Sequence, residues 1–287
     1  MNIALTGSSG LIGSCLLKDL KRTNHNLICI SSSYSRPNEN IYSYEDMLAG
    51  KILESIDCII HLASMNSEMS KEEIPLEVEI TKKVIEGMDA MRCKKIIFFS
   101  TSKVYGENSF VQDIFLEDSS LNPLCPYGQA KVECEQVIDR FSEDMGYRYI
   151  IFRMPPILIN DPKSNIGKLF EIIGKGLPIP SFSQGDSNLR SFLSYEFLYS
   201  SIKMALRFEY KLPNKIFNLS NTHPISTNEL FRVIGLSMNR NARIVYFPNF
   251  LFKAMIRVNR LQLILCRLFG NFNMPNTKLL TEFDLKG

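Results

Sequence analysis

Short apolar runs separated by segments of helical spacing restrict the fold more than any other feature of this sequence. Met1-Asn2-Ile3-Ala4-Leu5-Thr6 opens the chain, Asn26-Leu27-Ile28-Cys29-Ile30-Ser31 follows, and residues 57–63, 95–100 and 149–153 repeat the pattern. Runs this brief and apolar on successive positions read as strands buried on both faces. Between them, Leu11, Ile12, Cys15, Leu16 and Leu20 recur at helical spacing, and residues 75–91 and 127–145 read as helices. Strands alternating with helices predict an α/β fold, a parallel sheet doubly wound with helices. The polar stretch before Asp57 leaves room only for a stunted third strand.

The pattern changes near Pro155. Pro155, Pro156, Pro162, Pro178 and Pro180, with Gly167, Gly174, Gly176 and Gly185, mark loops and short elements. Strand-like 215–219, helix-like 227–238 and strand-like 242–247 follow. The expected division is 1–154 as the main domain, with part of 194–225 packing back onto it, and 155–287 as a smaller mixed domain supplying substrate contacts. With 45% hydrophobic residues in 287, the chain can bury a full core.

The glycine spacing at the N-terminus carries the first chemical signal. Gly7, Gly10 and Gly13 stand between the opening strand and the first helix. Such a turn lets backbone approach a pyrophosphate, which free N–H groups at the helix N-terminus then stabilise. The second signal is Tyr127 with Lys131 four residues on, on one helical face. An ammonium beside a phenol favours the phenolate. Thr101, closing the apolar run 96–99, offers a hydroxyl to hold the oxygen of a carbinol or carbonyl. Together they suit general acid–base chemistry coupled to hydride transfer.

Thr6-Gly7-Ser8-Ser9-Gly10-Leu11-Ile12-Gly13, His61-Leu62-Ala63, Ser100-Thr101-Ser102-Lys103-Val104-Tyr105-Gly106 and Pro126-Tyr127-Gly128-Gln129-Ala130-Lys131 together resemble the extended short-chain dehydrogenase/reductases, the group of NAD(P)-dependent nucleotide-sugar epimerases, dehydratases and ketoreductases. Arg153-Met154-Pro155-Pro156 and Arg190-Ser191-Phe192-Leu193 continue the likeness. The resemblance implies a Rossmann sheet in 1–154, with Tyr127 as acid–base residue. Lys131 would lower the phenol's pKa and contact the nicotinamide ribose, and Thr101 would bind the reacting oxygen. It places Gly7, Ser9, Gly10, Leu11, Ile12, Gly13, Leu62 and Ala63 on the cofactor, and Pro155 beside the nicotinamide. Arg190 and Asn165 are implied as substrate contacts, Arg190 on the diphosphate, where a planar guanidinium can bind two oxygens. His61 and Arg153 read as structural.

Two departures shape the expected reaction. NAD-preferring relatives end the second strand with a carboxylate for the adenine ribose; here Ser31-Ser32-Ser33 stands, with Arg36 shortly after. Ser31 and Arg36 would accept a 2′-phosphate, which points to NADP ahead of NAD. Pro156 replaces an Asn of several sugar epimerases, and the Arg-x-Pro-Pro form resembles a branch of surface-polysaccharide enzymes. The expected activity is therefore a 4-ketoreductase on a UDP-linked hexose, with a UDP-glucose or UDP-N-acetylglucosamine 4-epimerase as the alternative and a non-catalytic NADP-binding sensor as a remote one. A dehydratase lacks support, because Ser102-Lys103 replaces the acidic pair that water loss needs.

A net charge of +3 without a dense basic run fits an anionic small substrate and argues against a nucleic-acid partner. Seven cysteines without a C-x-x-C pair point to buried free thiols and a cytoplasmic location. Three isolated histidines supply no metal site. No secretory leader or transmembrane run is evident, and a homodimer is implied by the resemblance only. Residues 250–269 remain unabsorbed: apolar side chains there alternate with Lys253, Arg257, Arg260 and Arg267, a pattern compatible with core packing, a subunit face or an anionic membrane.

Overall fold

A computed structural model describes residues 1–32, 35–65, 68–106, 108–110, 114–162, 164–207 and 215–283; Ser33 lies outside them. β1 (Asn2–Thr6) enters α1 (Leu11–Leu20) through the glycine turn. β2 (Asn26–Ser31), β3 (Ile41–Ser43), α2 (Tyr44–Leu48), β4 (Cys58–His61), α3 (Ile74–Ala90), β5 (Lys95–Thr101), α4 (Pro126–Met145) and β6 (Arg148–Met154) follow. Then come α5 (Asn165–Gly174), β7 (Ile179–Ser181), α6 (Gln184–Ser187), α7 (Tyr195–Arg207), β8 (Lys215–Asn218), α8 (Thr227–Ser237), β9 (Ile244–Tyr246), α9 (Asn249–Met255), α10 (Asn259–Phe269) and α11 (Thr277–Phe283).

The chain divides into two compact units: one of residues 1–106, 121–153 and 199–217, the other of 107–120, 154–198 and 218–287. The first unit holds a seven-stranded sheet ordered β3-β2-β1-β4-β5-β6-β8. Its pairs from β3 through β5 are parallel, with Thr6 opposite both Ile30 and His61. Every residue of β5 is buried, as the unbroken apolar run predicts. From β1 the chain steps to β2 on one side, and from β4 to β5 on the other. Right-handed crossovers therefore put α1 and α3 on opposite faces. The order reverses between β1 and β4, where a doubly wound sheet opens a crevice at its carboxyl ends.

Helices α3 and α4 bury Val78, Val84, Ile85 and Met88 with Cys134 and Ile138 against Ile28, Ile59, Ile96 and Phe98. α4 stops at Gly146, whose φ of 67° suits the left-handed residue that commonly ends helices. Cys93 and Cys134 are buried free thiols in this core, and Cys58 is buried in β4. The third strand has three residues, as short as its polar surroundings imply.

The second unit pairs β7 with β9 in parallel. One cluster joins Ile166 and Ile173 of α5 to Leu230, Phe231 and Ile234 of α8. Another gathers Phe182, Phe252, Leu265 and Phe269.

Candidate active site

The glycine turn is held by backbone contacts that leave no space for side chains. Gly7 has φ +70°, and a Cβ there would lie 2.5 Å from the Ala63 nitrogen; a Cβ on Gly13 would lie 2.0 Å from the Gly7 oxygen. Gly10 N-caps α1 without any side-chain acceptor, so the first helical N–H groups have no side-chain cap. The turn borders a cavity of about 320 Å³ lined by Gly7, Ser8, Ser9 and Gly10, by Ile30, Ser31 and Ser32, by Tyr44, by Leu62, Ala63, Ser64 and Met65, and by Ile80. A bare backbone cradle, a helix N-terminus and hydroxyls at the end of β2 fit the pyrophosphate and adenosine ribose of a dinucleotide. Gly13→Ala forces a methyl into backbone on which the turn depends. We expect it to cost about 1–3 kcal/mol through overpacking and to weaken dinucleotide retention, read by thermal melting and by nucleotide released on heating.

Beneath the turn, Thr6 ties β1 to β4. Its hydroxyl lies 2.7 Å from His61 Nδ1 and accepts from the Ala63 amide at 3.0 Å, while His61 Nε2 lies 3.2 Å from the Thr81 hydroxyl. Burial, with the Lys131 charge nearby, pushes the His61 pKa down to about 3. The imidazole is neutral and serves as a strut.

The second focus lies at the carboxyl end of β5 and the start of α4. Thr101, buried, accepts from the Lys103 amide at 3.3 Å and caps a 3₁₀ turn at Ser102–Val104. That turn packs closely on Gly128, where a Cβ would lie 2.6 Å from the Lys103 oxygen. The close approach fixes the first turn of α4, whose second residue is Tyr127. The Lys131 and Lys103 ammoniums each sit 5.7 Å from the centre of the Tyr127 ring. Lys131 Nζ also lies 2.8 Å from Glu77 Oε1, with both side chains almost wholly buried. Glu77 in turn accepts from the Ser64 hydroxyl and the Met65 amide, both at 2.7 Å. One carboxylate thus joins Lys131 to the wall of the dinucleotide cavity. Burial disfavours the Lys131 charge, but Tyr127 and Glu77 outweigh it and hold the ammonium's pKa above the ordinary lysine value.

Next to Thr101, Ser100 points the other way. Its hydroxyl donates to Glu135 at 2.5 Å, Glu135 accepts a bidentate pair from Arg153 at 2.7 and 3.1 Å, and Arg153 donates to the Tyr105 hydroxyl at 3.0 Å. This buried network satisfies Arg153, in line with its structural reading.

Pro155, Asn165 and Arg190 lie in the second unit. Pro155 is buried just after β6, and Asn165 opens α5 behind its cap, Ser164. Arg190 is held by backbone hydrogen bonds to Ile225 and by Nη1 donating to the Leu268 carbonyl at 3.2 Å. Its guanidinium lies over Phe192, 5.4 Å from the ring centre, and its buried Nε has no partner.

A model of the NAD dependent epimerase/dehydratase family matches residues 3–219. The chain belongs to that family. A UDP-glucose 4-epimerase of Vibrio cholerae is 26% identical to this epimerase-family chain over 258 residues, 83% of this chain and 76% of that protein. A putative UDP-glucose 4-epimerase of Methanocaldococcus jannaschii is 26% identical over 264 residues, 85% of each. Among solved structures, UDP-N-acetylglucosamine 4-epimerase from Bacillus cereus superposes with a TM-score of 0.77 at 18% identity, over 100% of this chain and 91% of that one. UDP-glucuronic acid 4-epimerase from the same organism, in complex with NAD, gives 0.75 at 19% identity over 100% and 91%. At such identities the superpositions carry the fold, a Rossmann-type sheet. These relatives are named as 4-epimerases, whereas the activity expected first from the sequence is a 4-ketoreductase.

Within this family member, Gly7, Ser9, Gly10, Ser31, Leu62 and Ala63 line the cavity. At the start of α1, Leu11 is exposed, Ile12 is half-buried and Gly13 is packed inside the turn. Arg36 is away from the cavity wall, exposed and 3.6 Å from Glu39. Sequence reasoning passed over Tyr44, Ile80, Lys103 and Glu77. Ser64 and Met65 were within reach of it, since they directly continue Leu62-Ala63. No cluster of three or more metal-ligating side chains occurs among the described residues.

Proposed function

We propose that this protein is a NAD-dependent 4-epimerase of a UDP-linked hexose or N-acetylhexosamine. The observation that carries the reading is the retention of Thr101, Tyr127 and Lys131 around one turn in a chain whose relatives bear 4-epimerase names. NAD is preferred to NADP because the family is described as NAD dependent and Arg36 is engaged with Glu39 away from the cavity.

The Gly7–Gly10 turn and the N-terminus of α1 hold the pyrophosphate, Ser31 faces the adenine ribose, and Leu62 and Ala63 flank the dinucleotide. Bound there, NAD supplies a reversible store for the hydride of C4. Tyr127 takes the proton of the C4 hydroxyl as that carbon is oxidised, and returns a proton to the oxygen when the opposite face is reduced. Lys131 stabilises negative charge on the phenol oxygen and reaches the ribose beside it. Thr101 hydrogen-bonds the reacting oxygen in both directions, and Pro155 shapes the wall at the nicotinamide. Arg190 supplies a guanidinium with spare donors for the substrate diphosphate, and Asn165 assists it.

The test is incubation of the purified protein with UDP-glucose and with UDP-N-acetylglucosamine, without added cofactor, followed by NMR. We expect the C4 epimer to accumulate and heat to release NAD from the protein. Stoichiometric consumption of NADPH by UDP-4-keto sugars, with no epimerisation, would overturn the reading in favour of the reductase.

A further inference from the structure

We propose that the outer face of α9 and α10 seats this protein on an anionic lipid bilayer surface. α10 is apolar on two sides. Leu265 and Phe269 point inward, packed with Phe182 and Phe252. Arg260, Leu263, Ile264, Arg267 and Leu268 fall at i, i+3, i+4, i+7 and i+8 and share the outer face. There Leu263 is 62% exposed, Ile264 48% and Leu268 44%, and Phe250 on α9 is 68% exposed. Lys253 and Arg257, both exposed, lie in the chain between Phe250 and α10, and α9 packs on α10 through Phe252.

The helix presenting this face is fixed. The Cys266 thiol donates to the Asn108 carbonyl, the Asn108 amide donates to the Arg267 carbonyl at 3.0 Å, and the Leu268 carbonyl accepts from Thr227 at 2.5 Å. The exposed leucines are therefore the standing surface of a pinned helix.

Charge decides what covers that surface. No acidic residue occurs between Glu229 and Glu282, although the whole chain carries a net charge of only +3. A second copy meeting this face through a two-fold axis would bring the same basic side chains together from both sides. A bilayer rich in anionic headgroups answers both halves of the pattern. Lys253, Arg257, Arg260 and Arg267 reach the phosphates with their charged ends, while Phe250, Leu263, Ile264 and Leu268 enter the headgroup–acyl boundary. The attachment is peripheral, since no helix among the described residues is long and apolar enough to cross a membrane.

Cosedimentation of the whole protein with vesicles tests this. We expect it to pellet with mixed phosphatidylcholine–phosphatidylglycerol vesicles but not with phosphatidylcholine alone, and to be released by high salt. Leu263→Asp with Ile264→Asp, and separately Arg257→Glu with Arg260→Glu, should weaken binding about tenfold or more, with sugar-converting activity and the circular-dichroism melt unchanged. Absence of binding, equal binding to both vesicle types, or equal binding by the variants would overturn the proposal. So would light scattering showing that the Asp variant splits a dimer, which would make this face a subunit interface.

Discussion

Conversion of a UDP-hexose by Tyr127→Phe is expected to fall about 10²–10⁴-fold, the range associated with a positioned acid–base group. The substitution keeps the ring, so the ammoniums of Lys131 and Lys103, each 5.7 Å from its centre, retain an aromatic neighbour. It leaves the glycine turn untouched, and nucleotide retention should be unchanged. Only the oxygen that exchanges the proton is lost. Rates by NMR together with nucleotide released on heating separate the two effects. A Phe variant that turns over at the native rate would remove Tyr127 from the chemistry and with it the proposed reaction.

The largest stability effect is expected at Glu77. Its carboxylate pairs with the buried Lys131 ammonium at 2.8 Å and also accepts from Ser64 and Met65. Glu77→Leu strands that ammonium without an anionic partner and should destabilise the protein by about 3–5 kcal/mol, whereas combining it with Lys131→Met should recover most of the loss. The pH dependence has a definite sign. Glu77 and Tyr127 hold the folded-state pKa of Lys131 above its ordinary value despite burial. The resulting stabilisation is complete below the unfolded-state pKa of roughly 10.4 and disappears only as pH rises through the higher folded-state value. The variant should therefore melt well below the native protein throughout the neutral range, and the gap should narrow only in strong alkali. A neutral melting temperature equal to the native one would show that the pair contributes nothing.

How far the sequence disclosed this arrangement depended on how local each signal is. Strands buried on both faces read as continuous apolar runs, so β1, β2, β5 and β6 were recognisable within a residue or two. The glycines were recognisable because backbone contact admits nothing larger. Glu77 was not, since an acid on a helix ordinarily reads as solvated; its burial depends on Lys131, which reaches it from a different helix. Tyr44 enters the cavity from a region where only a three-residue strand signals structure. The choice between reductase and epimerase was least legible, because both reactions ask the same residues to move one proton and one hydride.

Cys58, Cys93 and Cys134 carry a practical consequence. All are buried, and desolvation pushes the thiols of Cys93 and Cys134 up to about 11 and that of Cys58 higher still. Alkylating reagents and peroxide attack the thiolate, so these sulfurs stay inert while the sheet is closed. Under reducing conditions, with reagent fast enough to outrun reclosing, their labelling rate becomes a clock for its opening.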